Sequence, residues 1–260
     1  SAMLDKTGTA PQLLAARLGL NVPKVWHLYL PEPAFIIERF DRAPGPEEPL
    51  RLHVLDGTQM LNEPSYNKYS SETFPKLKDL IEQCRNKAAA RLEVFRWIVF
   101  NTMVGNSDSH LKNISFIVDH EGRRVAPFYD LLCTAVYHTR VFLDEGAVWP
   151  NEKLSSPVAG ANCFSDVTFD KLIATGLELG LSKSAAVREV VKIVGRLTGA
   201  ADEIIAQLES ILADAGAPQG APSPMTKAAE RRMLRSIRSI VIADMLRYVR
   251  LPVAATKEPQ

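Results

Sequence analysis

GNSDSHLKN, residues 105–113, is a sharp polar break in an otherwise apolar part of the chain. The stretch just before it, residues 91–104, carries Leu92, Phe95 and Val99 at helical spacing. Because the end of this stretch has little polar face, we predict a central, buried helix there. Functional side chains often lie in loops that follow a rigid element, so the break is a candidate site.

The break contains an aspartate and an asparagine, Asp108 and Asn113, at D-x-x-x-x-N spacing. Protein kinases use this spacing for the carboxylate that positions the attacking hydroxyl and for one Mg²⁺ ligand. Residues 114–118 and 123–127 have strand composition on either side of a polar turn, which predicts a hairpin. Because antiparallel pairing returns the chain beside its start, Asn113 and Asp130 can face one ion. Oxygen ligands of this kind favour magnesium over zinc.

Three stretches of the sequence share a pattern with a known family: GNSDSHLKN at 105–113, APFYDL at 126–131 and IERFDR at 37–42. Together they resemble the catalytic, metal-binding and hinge motifs of HipA-like serine/threonine protein kinases, a bacterial toxin–antitoxin family. The resemblance extends from about residue 13 to the terminal helix and indicates the C-terminal catalytic portion of such a kinase. Independent turn residues would not be expected to reproduce the whole order, so the motifs weigh more together than alone.

The resemblance implies roles for four polar residues around the break. Asp108 would be the catalytic base, and Lys112 would place positive charge near the phosphates or the substrate oxygen. Asn113 and Asp130 would be the metal ligands. These residues and the cofactors ATP and Mg²⁺ are what a phosphoryl-transfer site requires.

The hinge-like stretch implies a nucleotide-binding role for four further residues. The backbone at Glu38 and Phe40 would hold adenine, and Asp41 and His110 would contact the ribose. Considered alone, the same stretch is typical of a strand end with alternating exposed charges. The nucleotide assignment therefore depends on the neighbouring motifs.

We expect an α+β fold that is predominantly helical, with a protein-kinase-like large lobe and a remnant of the small lobe. Residues 4–49 would form the remnant and residues 50–260 the helical large lobe. Within the remnant we predict a helix, a hairpin and the hinge strand, at 11–18, 25–30 with 34–40, and 37–42. Further helices are predicted from residue 72, over 182–194, near 201–213 and over 226–249.

The composition excludes several kinds of protein. Because 31 basic residues face 30 acidic ones, the overall charge gives no reason to expect nucleic acid or an anionic membrane as the main partner. No apolar run reaches the roughly 18 residues of a membrane span. The three cysteines lack CxxC spacing, which favours reduced thiols and a cytoplasmic location.

Basic residues are crowded at the start of the last predicted helix. They are Lys227, Arg231, Arg232, Arg235 and Arg238, which we call the basic cluster. A solvated basic face is the commoner explanation of such a pattern, and a contact for DNA or an acidic partner is the alternative.

The resemblance implies transfer of the γ-phosphate of Mg-ATP to a protein serine or threonine hydroxyl. It also implies a translation enzyme as substrate and a DNA-binding antitoxin as partner. We expect the nucleotide site of this chain to be incomplete, because the family's phosphate-covering loop and nucleotide-binding lysine belong upstream of the first helix. Two alternatives stay open: a non-catalytic, kinase-derived binding scaffold, and a metal-dependent phosphohydrolase that activates water.

Overall fold

The computed structural model of the chain describes residues 4–29, 33–63, 73–155, 157–214 and 222–252. The tip of the first predicted hairpin, at 30–32, and most of the proline-rich linker at 218–224 lie outside these residues.

The N-terminal part of the chain is a helix followed by a hairpin, as predicted. Helix α1 (Leu4–Arg17) begins well before the predicted start at Pro11, which lies inside it. Since proline favours the first turn of a helix, the sequence pattern placed the start too late. The chain leaves α1 through Gly19, whose φ of +84° suits glycine. Strands β1 (Val25–Tyr29) and β2 (Pro33–Ile37) then pair antiparallel. The hinge strand predicted over 37–42 is wrong, because β2 ends at Ile37, where its partner β1 begins, and residues 38–41 form no strand.

A small three-stranded sheet lies next to the polar break. Its strands are β5 (His53–Asp56), β6 (Ser115–Asp119) and β7 (Gly122–Val125), in the order β5-β6-β7. The β6–β7 hairpin was predicted, whereas β5 was not. Between the two sheets, β3 (Arg42–Ala43) and β4 (Leu50–Arg51) form a short ladder, and helix α2 (Gly57–Met60) follows β5.

Helices α3 (Thr73–Glu82) and α4 (Lys87–Met103) precede the polar break. The Asn86 side chain caps α4 by accepting a hydrogen bond from the Ala89 N–H (3.0 Å). Helix α4 packs against α3, α5 and α6, and its second half is almost wholly buried. This confirms the predicted central helix, and it gives the break that follows a rigid support.

The C-terminal part is helical but divided differently from the prediction. Its helices are α5 (Phe169–Glu178), α6 (Lys183–Asp214), α7 (Pro224–Ser236) and α8 (Ala243–Tyr248), with a π-helical stretch (Ile237–Ile242) between the last two.

The two helices predicted over 182–194 and 201–213 are wrong, because α6 is a single helix of 32 residues. Gly195 and Gly199 do not interrupt it. Each glycine costs roughly 1 kcal/mol in a helix. Packing of α6 against α1, α4 and α5 offsets that cost.

One apolar core joins the two ends of the chain. Leu14 and Leu18 of α1 belong to the same buried cluster as Phe95 of α4, Leu197 of α6 and Val241 of the π-helical stretch. The division into a small-lobe remnant at 4–49 and a large lobe stays a prediction. None of the described helices combines the length and the apolar character needed to cross a membrane.

Candidate functional site

The polar loop, residues 105–110, begins at a position that only glycine suits. Gly105 has a φ of +67°, a conformation that side chains rarely adopt. A Cβ atom there would lie 2.6 Å from Val241 Cγ1 and 2.7 Å from Ala135 Cβ. The chain can therefore turn sharply out of α4 while the π-helical stretch packs against the turn.

Asn106 ties the polar loop to α4. Its Oδ1 accepts a hydrogen bond from the Asp108 N–H (3.0 Å), and its Nδ2 donates to Asn101 Oδ1 (2.8 Å). Asn101 in turn donates from Nδ2 to the Trp97 carbonyl oxygen (2.9 Å). Asn101 and Asn106 are buried, whereas 41% of the Asp108 side chain is exposed. The backbone of Asp108 is thus held from inside while its carboxylate faces outward.

Four of the predicted site residues converge around the polar loop. His110 Nε2 lies 3.6 Å from Asp108 Oδ1. Asn113, in a 3₁₀ turn just before β6, donates to the Asp108 carbonyl oxygen (2.8 Å). Its side chain also lies close enough to the Asp130 carboxylate to lower the pKa of that group. The hairpin therefore brings Asn113 and Asp130 together, in the way that antiparallel pairing predicts.

The carboxylate of Asp130 is held in an electrostatically unfavourable place. Partial loss of hydration and the nearby negative charge of Asp108 raise its pKa, while His110 and the hydrogen bond from Asn113 oppose the shift. Asp130 also has a φ of +55°. Carboxylates that converge in this way suit a cation between them.

The donor set fits magnesium better than a transition metal. Within the described part of the chain, no cluster of three or more His, Cys, Asp or Glu side chains is arranged to hold a metal ion. Asn113 and Asp130 offer only oxygen ligands. Mg²⁺ commonly takes one or two carboxylates and completes its shell with phosphate oxygens and water.

Tyr129 links the predicted hinge to the site. Its hydroxyl donates to the Lys112 carbonyl oxygen (2.7 Å) and lies 2.8 Å from Ser115 Oγ, so it joins the two ends of the β6–β7 hairpin. Its ring stacks on Phe40, with ring centroids 5.7 Å apart. Sequence reasoning gave Tyr129 no role of its own.

The hinge backbone leaves two groups available. The Glu38 N–H donates to the Lys24 carbonyl oxygen (2.8 Å). In contrast, the Glu38 carbonyl oxygen and the Phe40 N–H form no hydrogen bond with another described residue. An acceptor and a donor with this spacing can hydrogen-bond the edge of a planar base.

Asp41 is already engaged by two arginines. Arg39 and Arg42 each place a guanidinium nitrogen 2.6 Å from Asp41 Oδ2. The hydrogen bond from Arg39 is the largest cause that lowers the pKa of Asp41 to about 2. A ribose hydroxyl at this position would compete with those guanidinium groups.

The chain that carries this site also matches a known protein family. The model of the HipA-like C-terminal domain matches residues 9–204, well over half of the chain. The chain belongs to this family. The resemblance seen in the three motifs is thereby confirmed.

Curated relatives of this HipA-like domain carry kinase names. The serine/threonine-protein kinase toxin HipA of Shewanella oneidensis is 34% identical over 141 residues, which cover 48% of this chain and 33% of that protein. The putative kinase Y4mE of Sinorhizobium fredii is 38% identical over 130 residues, covering 48% and 31%. The chain thus spans about one third of the length of these relatives.

Two solved structures share the fold. The Shewanella oneidensis toxin–antitoxin complex of HipA, HipB and operator DNA matches with a TM-score of 0.72 and 25% identity, covering 93% of this chain and 55% of that chain. The Helicobacter pylori proinflammatory kinase CtkA matches with a TM-score of 0.56 and 15% identity, covering 92% and 81%. These neighbours show a kinase-like fold, in agreement with the α+β class expected from the sequence.

Three of the five residues of the basic cluster make contacts within the HipA-like domain. Arg238 pairs with Asp202 of α6 (2.7 Å) and Arg235 with Glu209 (3.3 Å). Arg232 donates to the Val141 carbonyl oxygen and lies over the Phe142 ring, 5.1 Å from its centroid. Because Arg232 and Arg235 remain exposed, the cluster is a solvated basic face whose arginines also pair within the domain.

Proposed function

We propose that this HipA-like domain is the catalytic portion of a protein kinase that transfers the γ-phosphate of Mg-ATP to a protein serine or threonine hydroxyl. The observation that carries the proposal is the convergence of Asp108, Asn113 and Asp130 at the two ends of one hairpin. Phosphoryl transfer needs one carboxylate for the attacking hydroxyl and oxygen ligands for magnesium.

Asp108 is the residue that orients the substrate hydroxyl. Its carboxylate is accessible while its backbone is fixed, which suits a group that must meet a second protein. As the hydroxyl oxygen bonds to the γ-phosphorus, the bond from that phosphorus to the bridging oxygen of ADP breaks and the hydroxyl proton passes to Asp108. His110, at 3.6 Å, limits the positions that the carboxylate can take.

Asn113 and Asp130 would hold magnesium, which neutralises charge on the phosphates when it is bound. The available Glu38 carbonyl oxygen and Phe40 N–H support adenine binding at the hinge. Lys112 lies in the same 3₁₀ turn as Asn113, and its half-buried side chain is proposed to stabilise anionic oxygen. Ribose contacts by Asp41 and His110 belong to the same proposal.

Partners are proposed by analogy with the relatives. The Shewanella oneidensis HipA was solved with HipB and operator DNA. For this chain we propose a DNA-binding antitoxin as partner and a translation enzyme as substrate, in the cytoplasm, where ATP and such enzymes are present.

Product analysis tests the proposal. The chain is incubated with Mg²⁺, ATP labelled at the γ-phosphate and a bacterial lysate, and both labelled protein and free phosphate are measured. Because the nucleotide site of the chain by itself is expected to be incomplete, we expect weak labelling from the chain alone and strong, Mg²⁺-dependent labelling from the chain together with any native residues encoded upstream of it. From that longer protein, free phosphate without labelled protein would instead indicate a phosphohydrolase, and neither product would indicate a binding scaffold.

A further inference from the structure

We propose that Thr134 and Ser155, which lie outside all three motifs, are positioning residues for Asp108. Their hydroxyls hold the backbone of the polar loop on both sides of that aspartate. The catalytic part of this inference rests on the proposed function, whereas the structural part can be tested without it.

Thr134 holds the part of the loop that precedes Asp108. Its Oγ1 accepts a hydrogen bond from the Ser107 N–H (2.7 Å), lies 2.7 Å from Ser107 Oγ and donates to the Gly105 carbonyl oxygen (3.3 Å). A hydroxyl offers one donor and two acceptor positions, so these contacts use all of them. The Ala135 N–H adds a bond to the same Gly105 carbonyl oxygen (2.9 Å).

Ser155 holds Ser109, the residue that follows Asp108, in the same way. Its Oγ accepts a hydrogen bond from the Ser109 N–H (2.9 Å), lies 2.8 Å from Ser109 Oγ and donates to the Asn106 carbonyl oxygen (3.3 Å). Thr134 and Ser155 thus make matching sets of contacts with the two residues that flank Asp108.

Together with Asn106, these hydroxyls give every backbone N–H around Asp108 a partner. The Ser107 and Ser109 N–H groups donate to Thr134 and Ser155, and the Asp108 N–H donates to Asn106 Oδ1. The next N–H, that of His110, donates to the Asp108 carbonyl oxygen (3.0 Å). The backbone of Asp108 is therefore fixed by side chains, because the loop has no ladder or helix of its own to fix it.

Both positioning residues come from the segment that follows Asp130. Thr134 begins a 3₁₀ turn (Thr134–His138) shortly after Asp130. Ser155 follows Leu154, whose N–H donates to the Asn162 carbonyl oxygen (3.0 Å). The position of Asp108 thus depends on how this segment packs against the loop. Because the segment begins just after Asp130, the positions of the proposed base and of the proposed metal ligand depend on each other.

Variants that remove or retain the Thr134 and Ser155 hydroxyls test the inference by two independent measurements, amide hydrogen exchange and kcat. In Thr134→Val the side chain keeps its shape but cannot accept the Ser107 N–H, whereas Thr134→Ser retains the hydroxyl. Amide hydrogen exchange, resolved by residue in the chain itself, should accelerate about fivefold to tenfold at Ser107 in the valine variant and stay near wild type in the serine variant. Ser155→Ala should accelerate exchange at Ser109 instead.

The kinetic readout concerns turnover. Because small misplacements of a catalytic group cost large factors in rate, kcat of Thr134→Val should fall about 10-fold to 100-fold, with KM for Mg-ATP within about twofold. Thr134→Ser should recover most of kcat. The matched control is Thr226→Val, which removes a hydroxyl that contacts only the Ser223 side chain at the start of α7 among its hydrogen bonds to described residues (2.9 Å), and it should leave kcat unchanged.

Two results would overturn the inference: equal loss of kcat in the valine and serine variants, or unchanged exchange at Ser107 and Ser109 in the hydroxyl-free variants. If the wild-type chain transfers no phosphate even together with any native residues encoded upstream of it, the proposed function fails. The exchange rates then decide alone whether the two hydroxyls hold the loop.

Discussion

The carboxylate of Asp130 lies close enough to that of Asp108 for the negative charge of Asp108 to raise the pKa of Asp130. The two residues are separated by the whole β6–β7 hairpin in sequence, and Asn113 contacts both of them. In the protein without a cation this position of the Asp130 carboxylate costs stability, since lost hydration and the nearby charge both disfavour its ionised form.

Replacement of Asp130 by asparagine should stabilise the cation-free protein at pH 7. A raised pKa in the folded state means that ionisation of Asp130 favours unfolding, so the cost develops as pH rises above the unfolded value near 4 and vanishes below it. In thermal unfolding, the Tm of Asp130→Asn should therefore exceed that of wild type at pH 7 and equal it near pH 3.

Magnesium should act in the opposite direction on the Tm difference between wild type and Asp130→Asn. Addition of Mg²⁺ should raise the Tm of wild type more than that of Asp130→Asn, because the metal binds the folded carboxylates. The matched control, Asp144→Asn on an exposed loop, should respond to Mg²⁺ as wild type does. Equal responses of wild type and Asp130→Asn would remove Asp130 from the proposed metal site.

Gly105→Ala should destabilise the fold by about 2–4 kcal/mol. The substitution combines a positive φ with a Cβ that would lie 2.6 Å from Val241 Cγ1. The control is Gly199→Ala in α6, where the new Cβ would have no described heavy atom within 4 Å apart from its chain neighbours and the backbone of its own helix. That helix should gain about 1 kcal/mol. Chemical denaturation measures both changes. A neutral Gly105→Ala would contradict the described turn.

Asp41 should titrate at about pH 2 in the folded chain, and Arg39→Ala should move that pKa toward the ordinary value. A lowered pKa means that the ionised form stabilises the fold above the unfolded pKa and that this contribution is lost as pH falls toward 2. Carboxyl ¹³C shifts followed through the titration report the pKa. Arg42→Ala should have a smaller effect, because Arg39 is the larger cause. An unshifted pKa in the wild type would contradict the geometry.

The sequence predicted correctly those elements whose pattern lies within one short stretch of residues, and it missed elements that depend on contacts between distant stretches. The helix before the polar loop and the β6–β7 hairpin follow from the spacing of apolar residues and from turn composition, and both were predicted correctly. Strand β5 was missed because its short run becomes a strand only by pairing with the edge of β6, which is distant in sequence. Helix α6 was divided because two glycines weaken the local pattern, while the packing that offsets them is tertiary.

The site shows the same limit. Asp108, Asn113 and Asp130 could be selected from spacing and from the hairpin between them, and the structure brings them together. Thr134 and Ser155 could not be selected, since hydroxyl residues are common and nothing in the sequence indicates which of them reach the polar loop.

The most direct test of the account is phosphate transfer by wild type and Asp108→Asn, each prepared together with any native residues encoded upstream of the chain. Asp79→Asn, on the exposed face of α3, is the control measured beside them. The carboxamide keeps the shape of the side chain but cannot accept the hydroxyl proton. We predict that Asp108→Asn lowers the rate of protein labelling at least about 100-fold while Mg-ATP affinity stays within about threefold, and that Asp79→Asn labels protein at the wild-type rate. Labelling by Asp108→Asn at the rate of wild type would contradict the account.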